Sequence, residues 1–258
     1  MNELCFLRKA PNNMIGHRMK TFGLLCQALG VVGALRVVQE KLRGSKTVRV
    51  KVKNIPHPIL ARMNNCDLPT LVEVLCSSEC EVELLWSPRT ILDLGANIGL
   101  TSIKLKRQFP RATLIAVEPD PGSAQVCRVN LSHIPETVIL QMAIGWGSGV
   151  VKCANPEAPS ISRRFGICEA DDPDAIREVS IAEILDQYQC RSPILIKMDI
   201  EGSEASCFEN SESWLPAVQG VLVEAHSTAV ANHIIEVLLR EHFGVTHVGE
   251  KLFGERIT

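Results

Sequence analysis

Short apolar runs alternate with helical stretches from residue 89 almost to the end of the 258-residue chain, and this alternation most constrains the fold. The runs predicted as strands are 90–94, 113–117, 137–144, 194–198 and 220–224, and the predicted helices are 99–108, 122–131, 181–188 and 229–243. Two more short strands are expected around Gly249. This order predicts a doubly wound, mainly parallel α/β sheet. Residues 145–180 interrupt the alternation and are expected to form a loop with a hairpin.

The N-terminal part of the chain differs from the rest in charge. The first 53 residues carry eleven Lys and Arg against two acids, for a net charge of +9, and the remainder carries −11. We interpret 1–88 as an N-terminal basic, helical cap and 89–258 as the α/β domain. Within the cap, 19–43 are predicted to form a helix, 47–53 a half-exposed strand and 69–77 a short helix. The basic helix is expected to dock on the acidic body or to make a peripheral contact with a membrane surface.

Composition narrows the partners and the compartment. No apolar run reaches the ~20 residues that span a bilayer, so a membrane channel is not expected. The basic segment lacks the interleaved aromatic residues that stack on bases, so no nucleic acid partner is expected. The ten cysteines contain no CxxC pair and lie mostly in apolar surroundings, which favours free thiols in a reducing cytoplasm. The sequence leaves the oligomeric state open.

Four acidic residues stand at the ends of predicted strands: Asp93, Glu118, Asp199 and Glu224. In a doubly wound sheet, ligands bind beyond the carboxyl ends of the strands, at the point where the strand order reverses. These carboxylates are therefore expected to meet at one edge of the sheet and to form the functional site.

The first two of these acids belong to motifs typical of a nucleoside cofactor site. The string DLGANIG joins a strand to a helix, and Gly95 and Gly99 permit a tight turn there. It is not the GxGxxG of dinucleotide binding, because Asn97 replaces the middle glycine. Asp93 offers an anion that suits a positively charged ligand group, such as the amino group of S-adenosylmethionine (SAM). Glu118 follows Gly95 by 23 residues, a spacing at which an acid accepts hydrogen bonds from both ribose hydroxyls.

Five strings occur in the order and spacing of a known family: ILDLGANIGLTS, AVEPDP, VILQMAIG, LIKMDIEGSE and VLVEAHS. Together they resemble the FkbM family of SAM-dependent methyltransferases over about residues 55–226. The resemblance implies the seven-stranded, Rossmann-like sheet of class I methyltransferases. It also implies SAM as the cofactor and a small hydroxylated acceptor, namely a sugar, a glycolipid or a polyketide-type secondary metabolite.

The resemblance implies a cofactor site residue by residue. The loop of the DLGANIG string, called the glycine loop, would line the methionine and ribose parts of SAM through Asp93, Gly95, Asn97 and Gly99. Glu118 would hold the ribose, with Pro119 beside the adenine. Met142 and Ala143, at the end of the third predicted strand, would border the adenine. Asp199 could hold the SAM amino group. The expected cofactor-binding residues are Asp93, Gly95, Ala96, Asn97, Gly99, Glu118, Pro119, Met142, Ala143 and Asp199.

Asp199 and His226 are the candidates for the general base that removes the proton of an attacking hydroxyl. His226 has the more suitable ordinary pKa, near 6.5, although a histidine at a strand end can be purely structural. With Glu224, these two residues could also hold Mg²⁺, but no ligand motif requires a metal and it is not favoured. In the interrupting segment, Arg163 and Arg164 are expected to contact the acceptor as part of a lid, with a solvated loop as the alternative.

Three other functions are alternatives. The main one is a non-catalytic binding or scaffold protein of the SAM fold, held on a membrane by residues 1–43; such a protein would not need the intact cofactor strings. An NAD-dependent oxidoreductase is disfavoured by the missing GxGxxG and by the anion of Asp93. A nucleic-acid methyltransferase fits the basic segment, but the string that acts on base amino groups, Asn or Asp followed by two prolines and an aromatic residue, is absent.

Overall fold

The computed structural model describes residues 14–76, 82–147 and 149–257, with side chains described from residue 22 to residue 74 in the first range. The chain divides into two compact units, Met1–Ser77 and Ser78–Thr258. This division falls eleven residues before residue 88, where the charge pattern places the end of the cap.

In the first unit, a long helix packs on a second helix and on a small antiparallel hairpin. The elements are α1 (Met14–Leu42), β1 (Thr47–Val50), β2 (Ile59–Arg62) and α2 (Asp67–Cys76). The carboxylate of Asp67 accepts hydrogen bonds from the backbone N–H and the guanidinium of Arg62, which ties the start of α2 to the end of β2. α2 begins two residues before the predicted helix, because Pro69 is tolerated in the first turn of a helix.

One part of α1, Phe22–Leu42, is long and apolar enough to cross a membrane by length and composition. Its best window has a mean hydropathy of 1.6, and 17% of that window is buried. The expectation that no apolar run reaches the length of a membrane span is therefore wrong for this helix. Gly30, at φ 72° and ψ 168°, interrupts the helical backbone, so α1 consists of two helical pieces.

The second unit contains the large sheet, flanked by helices. In chain order its elements are β3 (Thr90–Leu94), α3 (Leu100–Gln108), β4 (Thr113–Val117), α4 (Pro121–Leu131), β5 (Thr137–Leu140), β6 (Ala143–Ile144), β7 (Val150–Cys153), β8 (Phe165–Ile167), β9 (Ile176–Val179), α5 (Ile181–Gln187), β10 (Ile194–Met198), α6 (Glu204–Glu209), β11 (Gly220–Val223), α7 (Thr228–Arg240), β12 (Phe243–Val248) and β13 (Lys251–Arg256). Three short 3₁₀ turns complete the elements of this unit among the described residues.

The large sheet has seven strands in the order β12-β13-β11-β10-β3-β4-β5. The five strands from β11 to β5 are parallel, and β13 and β12 are antiparallel to their neighbours. The predicted doubly wound, mainly parallel seven-stranded sheet is therefore confirmed. From β3 the chain builds outward through β4 to β5, and from β10 it builds the other way, so the strand order reverses between β3 and β10.

The central strands are apolar along their length because both faces of a parallel sheet are covered. Every residue of β3 and of β10 is buried. Each of these strands contains one charged residue, Asp93 in β3 and Lys197 in β10, and the parallel register places the two side by side. The fold thus brings opposite charges together at the point where the strand order reverses.

The segment after β5 differs from its prediction. The third predicted strand, 137–144, ends at Leu140, and Ala143 instead opens β6 in a separate four-stranded sheet of order β6-β9-β7-β8. The long loop expected over 145–180 contains most of this sheet, with the expected hairpin formed by β7 and β8. A continuous apolar pattern cannot distinguish one long strand from two short strands that belong to different sheets.

Phe208→Ala is expected to lower the free energy of unfolding by about 3–5 kcal/mol. The ring is 1% exposed and packs edge-to-face against Trp214, with the ring centroids 5.4 Å apart. Urea denaturation measures the change. Ile167→Ala, at a side chain that is 91% exposed, is the control and should shift stability by no more than about 0.5 kcal/mol. Equal losses in the two variants would contradict the proposed packing.

Candidate active site

Four carboxylates meet at the carboxyl edge of the large sheet, as the sequence predicts. Asp93 lies in β3, and Glu118, Asp199 and Glu224 directly follow β4, β10 and β11. The backbone N–H groups of the last three residues donate to carbonyls of neighbouring strands at 2.9–3.0 Å. The sheet ladder therefore continues past the strand ends and fixes the backbone from which these side chains project.

The loop after β3 is built from residues with a left-handed backbone. Gly95, Asn97 and Gly99 have φ of 78°, 49° and 86°. A Cβ on Gly95 would lie 1.8 Å from the carbonyl oxygen of Asp199, so only glycine lets the loop approach the end of β10 this closely. The Oδ1 atom of Asn97 is buried and accepts no hydrogen bond from the described residues. The loop thus leaves one acceptor for a ligand that donates.

Glu118 is a buried carboxylate, only 7% exposed. One of its oxygens accepts the backbone N–H of Asn97 at 2.7 Å, and the other accepts the N–H of Asp120 at 2.9 Å. Burial raises the pKa of Glu118 to about 7, and these two hydrogen bonds offset part of the rise. Each oxygen retains a lone pair, which suits an acid that accepts two further hydroxyl donors.

Asp93 is fully buried, and its charge is balanced within the protein. Its Oδ2 accepts the hydroxyl of Ser102 at 2.6 Å, and its Oδ1 lies 3.1 Å from Nζ of Lys197. Lys197 is 3% exposed and also donates to the carbonyl of Gly95 at 2.9 Å. The interpretation of Asp93 as a free anion for a cationic ligand group therefore needs correction, because a resident ammonium already neutralises it. Its contact with a cofactor stays a prediction.

A second group of charges lies around His226. Its Nδ1 is 2.9 Å from the fully buried carboxylate of Glu204, and its Nε2 is 3.5 Å from Glu201 and 3.9 Å from Asp199. Glu204 also accepts the backbone N–H of Gly202 at 2.9 Å. The hydrogen bonds to Glu201 and Glu204 raise the pKa of His226 to about 10. The histidine is therefore an imidazolium at neutral pH.

This charge state changes the assignment of the base. His226 is a candidate because the ordinary pKa of histidine is near 6.5, but here two carboxylates raise its pKa to about 10, and a protonated imidazole cannot take another proton. Burial would raise the pKa of Asp199, but Lys197, Lys251 and His226 outweigh it and hold that pKa below its usual range. Of the two predicted bases, Asp199 is thus the one that is deprotonated at neutral pH, and its side chain remains 29% exposed.

Asp199, Glu224 and His226 offer ligand atoms within 4.8 Å of one another, the arrangement that suggested a metal. The charges of the two carboxylates are already balanced by cations of the protein. The ammonium of Lys251 contacts Glu224 and lies 3.9 Å from Asp199, and His226 carries its own proton. A metal would need the neutral imidazole and would displace the ammonium. The charges as they stand therefore disfavour a divalent cation at this position, and the expectation about Mg²⁺ stays a prediction.

Two lysines of the site were not assigned roles by the sequence reasoning. Lys197 carried a usable signal, because a lone lysine inside an otherwise apolar strand must find a partner when it is buried. Lys251 carried none, since it reaches Glu224 only through the antiparallel pairing of β11 with β13. Its contact depends on long-range register, which a local pattern does not reveal.

The four-stranded sheet reaches the site through one arginine. Arg163 forms an ion pair with Asp120, the N-cap residue of α4, whose other oxygen accepts the N–H of Ser123 at 2.8 Å. Arg163 also donates to the carbonyls of Ala158 and Pro156 at 3.3 and 3.1 Å. This guanidinium is therefore engaged by protein groups. The expected acceptor contacts of Arg163 and of the exposed Arg164 stay predictions.

The structure does not test the expected adenine contacts. Pro119 and Met142 are half-buried and Ala143 is buried. Met142 follows β5 and Ala143 opens β6, so neither residue ends the third strand as expected. Their place beside the adenine stays a prediction.

A seven-stranded, mainly parallel sheet with an acid after β4 and a glycine loop after β3 is typical of a Rossmann-like fold. The methyltransferase FkbM domain matches residues 93–244, which is more than half of the chain. The chain therefore belongs to the FkbM methyltransferase family, and the resemblance noted in the sequence is confirmed.

Curated relatives are similar at low identity. The chain is 23% identical over 169 residues to the hexuronic acid methyltransferase AglP of Haloferax volcanii, covering 65% of this chain and 66% of the relative. It is 27% identical over 189 residues to the methyltransferase sdnD of Sordaria araneosa, covering 58% and 71%. It is 22% identical over 160 residues to the 2-O-methyltransferase NoeI of Sinorhizobium fredii, covering 55% and 66%.

The imidazole of His226 is expected to stay protonated until the pH approaches about 10, because Glu201 and Glu204 stabilise the charged form. An NMR titration of the ring proton shifts measures this. Since the folded pKa lies above the unfolded value, the stabilisation is complete below about pH 6.5 and is lost as the pH rises through about 10. Glu204→Gln should lower the midpoint by at least about one pH unit. Glu212→Gln, an exposed acid elsewhere, is the control, and an unshifted midpoint near 6.5 in the parent protein would refute the ion cluster.

Proposed function

We propose that the protein is a SAM-dependent O-methyltransferase that methylates a hydroxyl of a sugar, glycolipid or polyketide-type metabolite. The observation that carries this proposal is the geometry of Glu118. Its buried carboxylate is fixed by the N–H groups of Asn97 and Asp120 beside the glycine loop, where the strand order reverses. An acid held in this place and orientation suits the two hydroxyls of an adenosine ribose.

The residues present fit SAM. Glu118 would hold the ribose, and the buried Oδ1 of Asn97 is an acceptor without a partner among the described residues. The remaining residues that would surround the cofactor are Asp93, Gly95, Ala96, Gly99, Pro119, Met142, Ala143 and Asp199. When bound, SAM supplies a methyl group attached to a sulfonium, which is already activated as a leaving group. The protein then needs to orient the acceptor and to remove the proton of its hydroxyl.

Asp199 is the residue best placed to take that proton. Lys197 and Lys251 lie 3.9 Å from its Oδ2, and His226 lies 3.9 Å from its Oδ1. These separations are too long for hydrogen bonds, so the cations keep the carboxylate ionised without occupying its lone pairs. An acceptor hydroxyl can therefore donate to Asp199 and pass its proton there as the oxygen attacks.

The acceptor class is supported by the relatives. One is named a hexuronic acid methyltransferase and another a 2-O-methyltransferase. Both names describe sugar-like acceptors or transfer to oxygen, which agrees with a carboxylate base rather than a site built for carbon or nitrogen. Hexuronic acids and other hydroxylated sugars are thus the first acceptors to screen.

Binding of SAM is expected to weaken as the pH falls through about 7. The free Glu118 has a pKa of about 7, and only its ionised form accepts both ribose hydroxyls. The Kd at pH 6 should therefore be about tenfold higher than at pH 8. Isothermal titration calorimetry measures the Kd, and Glu118→Gln should bind more weakly and lose the pH dependence. Glu212→Gln should behave like the parent; absence of SAM binding to the folded parent would favour a non-catalytic scaffold.

Asp199→Asn is expected to reduce kcat by about 10²–10⁴-fold, because the amide cannot accept the proton of the acceptor. Turnover is measured as release of S-adenosylhomocysteine with a panel of hexuronic acids and sugars, and SAM affinity is measured separately. Asp171→Asn, at an exposed acid in the four-stranded sheet region, is the matched control and should retain full turnover. Wild-type turnover of Asp199→Asn would overturn the assignment. His226→Ala tests whether the imidazolium lowers the pKa of Asp199. If it does, the variant should lose activity at a higher pH than the parent as the pH falls.

A further inference from the structure

The C-terminal piece of α1 exposes a stripe of large apolar side chains. Val31, Leu35, Val38 and Leu42 are 61%, 54%, 39% and 85% exposed. Their spacing of four, three and four residues places them on one face of a helix. The neighbouring Val32 is 83% exposed. A water-exposed stripe of this kind marks an interaction surface rather than scattered surface residues.

The other side of the same helical piece is buried. Ala34 and Val37 are 0% and 4% exposed, and α1 packs on α2 and β1. The helix is therefore already held by one face while the apolar stripe lies along another. The backbone interruption at Gly30 limits this piece to the twelve residues 31–42. At 1.5 Å per residue, that is roughly 18 Å, shorter than the ~30 Å hydrocarbon core of a bilayer.

The part of the chain that carries the stripe is basic. Arg36, Lys41 and Arg43 lie in or just after the helix and are exposed. Arg49, Lys51 and Lys53 are exposed in and after β1. Glu40 is the one acid between residues 22 and 53, and it pairs with Arg43. An apolar stripe flanked by positive charge complements a surface that has an apolar interior and an anionic rim.

We propose that this stripe, together with its basic flank, lies on an anionic lipid bilayer as a peripheral membrane contact. The helix rests in the interface, with Leu35 and Leu42 among the acyl chains and the basic side chains among the headgroups. Crossing the bilayer is disfavoured because the break at Gly30 shortens the helix and because Ala34 and Val37 are packed on protein.

Charge also favours lipid over a second copy of the chain. The apolar spacing of four, three and four residues would suit a helix pair as well. Two copies, however, would bring together segments that each hold seven Lys and Arg against one acid over residues 22–53, a net charge of +6. Like charges repel, and the twelve-residue stripe spans less than two heptads. Anionic headgroups instead attract the same charges.

The test is co-sedimentation of the full chain with vesicles of equal parts phosphatidylglycerol and phosphatidylcholine, compared with pure phosphatidylcholine. We expect binding to the anionic vesicles only, weakening as salt is raised because the charges are screened. Leu35→Ser with Leu42→Ser should reduce the affinity by about tenfold or more, through lost apolar burial. Arg36→Gln with Arg43→Gln should reduce the affinity and flatten its salt dependence.

The matched control is Ile167→Ser with Leu239→Ser, which removes two exposed apolar side chains from elsewhere in the protein and should leave vesicle binding unchanged. Circular dichroism of each variant confirms that it is folded. Absence of binding by the parent, or equal loss in the control, overturns the proposal. A second copy of the chain would be the occupant if light scattering without vesicles shows a dimer that Leu35→Ser with Leu42→Ser converts to a monomer, and this result would also overturn the proposal. Resistance of the vesicle-bound protein to alkaline carbonate would indicate a membrane span and would overturn it as well. The assay needs no methyl transfer, so its outcome is independent of the proposed activity.

Discussion

The buried ion pair between Lys197 and Asp93 holds the site together. Both side chains are almost completely removed from water, and such charges are stable there only when each meets the other. Removing one partner of a buried pair typically costs about 3–5 kcal/mol. The pair joins β3 to β10 at the place where the strand order reverses, and Lys197 also binds the carbonyl of Gly95. The glycine loop, and everything it positions, therefore depends on this contact.

On either side of this pair, the charged residues at the sheet edge form two separate groups. On the β4 side, Glu118 is buried and fixed by backbone donors, and its pKa is raised mainly by burial. On the β11 side, Asp199 is surrounded by cations and its pKa is lowered. The pKa values of these two carboxylates are thus shifted in opposite directions, because burial dominates at Glu118 and nearby cations dominate at Asp199. The first suits recognition of neutral hydroxyls, and the second suits a carboxylate that is ionised, and so able to accept a proton, when a substrate binds.

Much of this arrangement was predictable from local pattern. β3, β4 and β10 begin and end where the sequence predicts, because each is a short, mainly apolar run that a glycine or an acid follows. The acids that follow such strands had to meet at one edge. The end of β5 was not predictable, since the apolar pattern continues into β6 of another sheet. The charge state of His226 was also beyond local pattern, because a turn after β10 brings Glu201 and Glu204 to it from another strand connection.

The contact of Arg163 with Asp120 links two parts of the molecule that could otherwise vary independently. The four-stranded sheet lies apart from the seven-stranded sheet, in the part of the chain between β5 and α5. Its arginine nonetheless meets the residue that caps α4, two positions after Glu118. A different segment placed between β5 and α5 would have to bring its own cation to that cap. Exchanging the four-stranded sheet would therefore also remove the charge partner of the residue at the start of α4.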